Sequence, residues 1–275
     1  MGETPGMARL HLFELEDQPW FPAVVRDAGT AYLRFAVGLS GQARNLVPKL
    51  RETIERAGST RIVDLCSGGA GPLPVLADEL AEQRLDVRIT LTDYYPNVEG
   101  FKRLQAQSKG RVDFAPEPID ARKVPEHLVG LRTMFSALHH FKPAEARAIL
   151  QSAVDAGQPF AAFEVVNRHP FTLIMMALVA LPVMLSVPFL RPFRWSWILF
   201  TYLIPIIPLF VMWDGFVSCL RVYSKDELQE MIDSLEGGDR FDWEIGDIAM
   251  PPAPVPAVYL IGVPRCEKTG KGGTA

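Results

Sequence analysis

The run Ile62-Val-Asp-Leu-Cys-Ser-Gly-Gly-Ala-Gly-Pro72 passes from an apolar stretch into a glycine cluster. A helical pattern, 72–83, follows it directly. Glycines at such a turn let the backbone approach a ligand closely, and the N-terminus of the following helix offers free N–H groups. Working outward from that turn, short apolar runs bounded by turn residues recur at Arg61–Leu65, Val87–Thr92, Arg111–Phe114, Arg132–Phe135 and Phe160–Val166. Helical patterns are expected between them at 72–83, 96–107, 122–128 and 143–156. This alternation implies βαβ units and a parallel sheet with helices on both faces, an α/β fold.

On the N-terminal side, 20–57 reads as helical with a break at Ser40-Gly41-Gln42, and 46–57 forms a charged amphipathic stretch. On the C-terminal side, Ser224-Lys-Asp-Glu227 is a capping box ahead of Leu228, Met231, Ile232 and Leu235, and starts a helix. Two last strands, Asp242–Ile245 and Ala257–Val263, flank a turn rich in proline (Pro251, Pro252, Pro254, Pro256) and suggest a hairpin at the sheet edge. The tail 267–275 is polar and glycine-rich and is expected to be disordered.

The 275-residue chain is long enough for one large domain with an insertion, and its net charge of −4 argues against a nucleic-acid partner. Cys66, Cys219 and Cys266 are far apart and show no CxxC spacing, so neither a disulfide framework nor a metal site is expected. Met1–Gln18 carries Glu3, Arg9, Glu14, Glu16 and Asp17 and lacks the apolar core of a signal peptide, which suggests a cytoplasmic protein.

Mean hydropathy is +0.11, and the excess is local. Phe171–Leu190 and Trp195–Trp213 hold no charged residue, and Arg191-Pro-Phe-Arg194 joins them. Each run is long enough to be a membrane-span candidate, and Trp195, Trp197 and Trp213 resemble an interfacial belt. Pro182, Pro188, Pro205 and Pro208 interrupt both runs, and two full spans would carry Arg191 and Arg194 to the far side. A hairpin lying in the membrane surface, or an apolar lid, is the favoured expectation. A buried helical pair in a core or dimer interface is the plain alternative.

The glycine run resembles the first motif of the class I S-adenosylmethionine-dependent methyltransferases, with Cys66 standing where that family more often has glycine. Ile89-Thr-Leu-Thr-Asp93 is similar to the second motif, whose acid accepts hydrogen bonds from the ribose hydroxyls. Asp93 also reads as a helix cap ahead of Pro96. Pro118-Ile-Asp120-Ala121 resembles the third motif, where an acid meets the adenine amino group, and Asp120 reads equally as a cap. Phe135-Ser-Ala-Leu-His-His-Phe141 resembles the fourth-strand motif with paired histidines. The resemblance covers roughly residues 58–265.

It implies a Rossmann-like, seven-stranded, mostly parallel sheet carrying an apolar helical hairpin and N-terminal helices. The expected division is 1–57, a helical segment covering the active site with Trp20, Phe21 and Tyr32; 58–170, the cofactor-binding core; 171–213, the hairpin; 214–266, the rest of the core; and 267–275, the tail. S-adenosylmethionine is the implied cofactor, with Asp64, Gly68, Gly69, Ala70, Asp93, Tyr94, Asp120 and Ala121 as its expected contacts. His139 or His140 is the expected general base, with Glu164 and Asp214 as further candidates. The acceptor is expected to be small and hydrophobic or lipid-like, with membrane-surface contact through 171–213.

Two alternatives stay open on the residues. A nicotinamide-dependent oxidoreductase wants Gly-x-Gly-x-x-Gly, and Gly69-Ala-Gly71-Pro-Leu-Pro74 lacks the third glycine. A non-catalytic membrane-associated binding protein would keep the fold without needing Gly68 or Asp93.

Overall fold

The computed structural model describes residues 8–265. The expectations for Cys266 and the 267–275 tail lie outside the described residues. Seven strands form one sheet: β1 (Arg61–Asp64), β2 (Arg88–Leu91), β3 (Val112–Phe114), β4 (Leu131–Phe135), β5 (Phe160–Glu164), β6 (Phe241–Ile248) and β7 (Ala257–Pro264). Their order is β3-β2-β1-β4-β5-β7-β6. β1 to β5 run parallel, and β7 pairs antiparallel with both β5 and β6. The proline-rich turn joins β6 to β7, with β6 at the edge as expected. Strand order reverses between β1 and β4, so the glycine run after β1 opens at the switch point where open α/β sheets bind ligands.

Helices cover both faces of this sheet. On one side Leu50 and Ile54 of α2 (Val47–Ala57), Leu76 and Leu80 of α3 (Leu73–Glu82) and Phe101 of α4 (Val98–Gln107) pack on Ile62, Ile89 and Ile261. On the other, Ile149 and Leu150 of α5 (Pro143–Asp155) and Leu228 and Ile232 of the Ser224-capped helix 225–233 pack on Val63, Met134 and Leu260. Both capping-box bonds at Ser224 form: its Oγ accepts from the Glu227 N–H, and its own N–H donates to the Glu227 carboxylate. α1 (Ala23–Ser40) ends with Gly41 at φ +64°, where the sequence breaks.

The expected helix at 122–128 does not form, and the segment is a series of turns. Pro125 lies in its middle and cannot donate the N–H a helix there would need.

The apolar insert folds as α6 (Pro170–Leu178), α7 (Ala180–Ser186), α8 (Trp195–Ile198), a π-turn at Leu199–Leu203, and α9 (Ile206–Arg221); the helix capped by Ser224 is α10 (Lys225–Asp233). Each proline sits where a helix can start or stop. Pro182 and Pro208 lie in first turns, and Pro205 marks the break before α9. No single helix among the described residues is long and apolar enough to cross a membrane. Two bent pairs have the length and composition, with bends of 44° and 78°. The last helix of the insert, α9, runs on past 213 through Asp214 to Arg221. Asp214 is tolerated there because its two oxygens accept from the Leu15 and Glu16 N–H groups, at 2.8 and 2.9 Å. The insert and α1 share a third apolar cluster built on Val25, Ala28, Val183, Trp197 and Phe210.

Candidate active site

The turn after β1 is left-handed at four places, with φ of +57° at Cys66, +50° at Gly68, +67° at Ala70 and +42° at Gly71. Such backbone costs a non-glycine residue about 1 kcal/mol or more. Cys66 and Ala70 therefore carry strain that the surrounding bonds must hold. Asp64 supplies many of them. Its carboxylate, 3% exposed, accepts from Ser67 Oγ and Thr133 Oγ1, each at 2.7 Å. Burial pushes its carboxyl up to about 7, against the pull of those two hydroxyls. Expected as a cofactor contact, Asp64 has both oxygens committed inside the fold and shapes the loop from behind. Ser67 and Thr133 were not singled out from sequence, because nothing local links them.

Two glycines define the loop's outer face. A Cβ at Gly69 would stand 2.4 Å from Thr30 Cγ2 of α1, so that helix lies directly on the loop. A Cβ at Gly68 would meet nothing within 4 Å and would project into open space. That space is a cleft between α1, the glycine turn, α4 and the insert, lined by Thr30, Gly68, Gly69, Asn97 and Arg191 among others. Phe21 and Tyr32 are buried inside the α1–insert cluster, whereas Trp20 faces outward.

Asp93, just past β2, binds the glycine turn directly. Its Oδ2 accepts from the Gly68 N–H at 2.8 Å, and its Oδ1 from the Tyr95 N–H at 2.8 Å. It does not cap α4, a role taken by Asn97, whose Oδ1 accepts from the Gly100 N–H. An ionised carboxylate has about four lone-pair sites, so two remain for a ligand. Tyr94 is half exposed and stands edge-on to Tyr95, 4.9 Å between centroids. The third-motif segment reaches the same place, since the Ile119 N–H donates to the Asp93 carbonyl at 2.9 Å. Ala121 is buried. Asp120 faces outward in a fork with Arg122, which lowers its pKa.

At the ends of β4 and β5 the paired histidines diverge. His139 is buried, and its Nδ1 lies 2.6 Å from Glu164 Oε2, while Glu164 Oε1 accepts from the Leu138 N–H at 2.9 Å. A carboxylate only accepts, so a proton on Nδ1 faces Glu164, which leaves Nε2 as the ring atom open to another partner. His140 stacks on His139 at 4.5 Å and turns to the N-terminal segment. Its Nδ1 lies 2.9 Å from Glu14 Oε2 and 3.0 Å from Asp17 Oδ1. Burial disfavours its charge, but Glu14 and Asp17 outweigh that and raise its pKa well above the usual range. Burial likewise opposes charge on Asp17, yet His140 and Arg221 bring its carboxyl down to about 2. Arg221, at the end of α9, ties this cluster to the insert through Asp17 at 2.7 Å and Glu14 at 3.3 Å. Asp214 does not join the histidines; burial pushes its carboxyl up to about 7.

Glu14, Asp17 and Arg221 were missed as site residues. The acids had registered in the sequence only as charge, with no spacing motif to mark them.

No family model matches this sequence, and no curated protein does. Solved structures match the fold. The methyltransferase domain of bacterial CtHen1-CN aligns with a TM-score of 0.50 at 11% identity, over 81% of this chain and 99% of that one. The pyocyanin biosynthetic protein PhzM gives 0.48 at 15% identity over 84% of this chain, which spans 56% of PhzM. Magnesium protoporphyrin IX methyltransferase from Synechocystis PCC 6803 gives 0.45 at 12% identity, over 83% and 84% of the two chains. With the strand order above, the first of these shows the fold: a Rossmann-like sheet similar to that of the CtHen1-CN methyltransferase domain.

Proposed function

We propose that the chain is an S-adenosylmethionine-dependent methyltransferase acting on a small hydrophobic or lipid-like acceptor at a membrane surface. The observation that carries this reading is the bond from the Gly68 N–H to Asp93, which joins an open glycine turn to an acid at the end of β2. The turn fits the cofactor because Gly68 opens to the cleft and Asp93 keeps acceptor capacity for two ribose hydroxyls. When bound, the sulfonium cofactor supplies an electrophilic methyl group. A dinucleotide is disfavoured, since its third glycine position is Pro74, within the first turn of α3.

In this reading Asp64 holds the turn, Gly68, Gly69 and Ala70 line the cofactor, and Asp93 and Tyr94 face its ribose. Asp120 and Ala121 lie toward the adenine. The protein's main task is alignment of the acceptor for in-line attack. His139, held in one tautomer by Glu164, is the base: its Nε2 lone pair takes the proton the nucleophile loses as the methyl group arrives. His140 is tied up by two carboxylates and serves to position its neighbour.

The apolar insert supports the acceptor class. Leu178, Leu181, Leu185, Phe189, Trp195 and Leu203 are each at least 60% exposed, far more apolar surface than a soluble monomer usually shows in one region. Arg191 and Arg194 fold back onto α1: the Arg191 carbonyl accepts from Arg34, and Arg194 pairs with Asp27 at 3.0 Å. That leaves the apolar tip free to lie in a bilayer surface.

Incubation with methyl-labelled S-adenosylmethionine and a lipid extract tests the acceptor. Label in the organic phase supports the reading; label confined to water-soluble products overturns its lipid-like part.

A further inference from the structure

Glu14, in the N-terminal segment, meets the adjacent His139 and His140 in the turn that follows β4. Each offers one ligand atom, and these atoms all lie within 4.8 Å of one another. Two of the three side chains are almost fully buried, Glu14 at 0% and His139 at 2% exposure. Their facing atoms, Glu14 Oε2 and His139 Nε2, have no hydrogen-bond partner among the described residues. The 2.9 Å approach of His140 Nδ1 to Glu14 Oε2 is an ion-pair contact that does not meet hydrogen-bond geometry.

Buried polar atoms are seldom left this way, because an unmet carboxylate or imidazole loses its water without replacement. A carboxylate oxygen and an imidazole lone pair cannot satisfy each other, since both accept. What satisfies both is a metal ion between them, bound in exchange for the ring proton of His140.

The surroundings are arranged for this. Glu14 Oε1 is already engaged, by Ser218 Oγ at 3.1 Å and Arg221 at 3.3 Å, which leaves Oε2 facing the histidines. His139 Nδ1 is bonded to Glu164, the outer carboxylate that commonly orients a metal-bound histidine. Asp17 Oδ1 stands 3.0 Å from His140 Nδ1, an outer carboxylate that orients this ring as Glu164 orients the other. Glu16 Oε1, 3.7 Å from His140 Nε2, adds acid nearby.

From this geometry we infer that Glu14 Oε2, His139 Nε2 and His140 hold a divalent transition-metal ion of the zinc class. Two imidazoles and a carboxylate suit such an ion, whereas magnesium and calcium prefer oxygen alone. Ligands about 2.0–2.2 Å from a shared ion lie at most about 4.4 Å apart, so closing the site asks for an inward shift of a few tenths of an ångström. The ion clasps the N-terminal segment onto the ends of β4 and β5. It also occupies the lone pair assigned above to the base, so the loaded site keeps His139 from accepting a proton. This last consequence rests on the proposed methyltransferase reading; the binding itself does not.

The test is a Co²⁺ titration of chelator-treated full-length protein, followed by visible absorption, with Zn²⁺ as competitor. One equivalent of Co²⁺ should bind with ligand-field bands displaced by Zn²⁺. Glu14→Gln and His140→Ala should abolish the bands, and Glu164→Gln should weaken binding roughly 10- to 100-fold. Zn²⁺ should raise the melting temperature of the parent protein and not of Glu14→Gln. A cooperatively melting parent protein that shows no Co²⁺ bands overturns the inference, as do bands that survive in both ligand variants. S-adenosylhomocysteine binding measured on the same sample keeps the two readings apart: its presence without Co²⁺ binding removes only the metal site. Co²⁺ binding without it removes only the methyltransferase reading.

Discussion

The sheet and the cap, the latter being the apolar insert packed on α1, use apolar residues in opposite ways. Around the sheet, Leu50, Leu76, Phe101, Leu150, Phe160 and Phe163 vanish from the surface, and Phe163 stacks on Phe135 at 5.2 Å. In the insert the apolar residues run all round the helices. α9 buries Ile207, Phe210 and Val217 but shows Ile206, Leu209 and Trp213 to the outside, and α6 buries none of its residues. A helix apolar on every side belongs inside a large core or against lipid. The sheet buries its apolar faces within the chain, whereas the cap has packed one side against α1 and left the other exposed.

Truncations should expose this difference most sharply. Phe163→Ala empties a site with no exposed surface and should cost about 3–5 kcal/mol in urea unfolding. Leu203→Ala, at 75% exposure, should stay within about 0.5 kcal/mol. Similar losses at both positions would mean that the cap is as closed as the core.

The next effect is pH-dependent, and each region carries one case. Asp64 beneath the glycine turn and Asp214 in α9 both have carboxyls raised from 3.8 to about 7. Below about pH 3.8 both states hold the proton; above it the unfolded chain releases it while the folded chain keeps it. Stability should therefore fall as pH climbs from about 4 to 7, by at most about 1.4 kcal/mol per pH unit for each group. Asp17, lowered to about 2, acts in the reverse sense, and its contribution is lost only as pH falls below 3.8. Thermal melts of Asp64→Asn and Asp214→Asn across this window should each flatten the slope. An unchanged slope in either variant would show that its carboxyl is ionised when folded.

Asp93→Ala should weaken S-adenosylhomocysteine binding by about 1.5–3 kcal/mol, roughly 10- to 100-fold in calorimetry, with cap-dependent behaviour unaffected. Unchanged affinity would remove Asp93 from the ribose. The smallest effect belongs to the cap: Leu203→Ser should lower partitioning onto lipid vesicles by about 1 kcal/mol, read by co-sedimentation. A parent protein that ignores vesicles would leave the exposed face to another partner.

The same division governs what the sequence made legible. All seven strands and the capped helix at Ser224 followed from local period and turn residues, and the break at Gly41 followed from a left-handed glycine. The turn segment at 122–128 carried a helical pattern that Pro125 defeats. The 171–213 run was legible by its lack of charge, but the continuation of α9 past Asp214 was not, because Leu15 and Glu16 satisfy that carboxylate from far along the chain. At the site, Asp93 and the glycine turn were legible as a motif. Asp64's commitment to Ser67 and Thr133 was not, since Thr133 lies 69 residues away. The Glu14–His140–Arg221 cluster was hidden for the same reason: it exists only once the segment before α1 has met α9 and the end of β4.

Calorimetric titration of the full-length protein with S-adenosylhomocysteine, with NAD and NADP as controls, tests the central claim most directly. The account predicts saturable binding of S-adenosylhomocysteine and none of either nicotinamide. Preference for a nicotinamide, or no binding of any of the three, would contradict it.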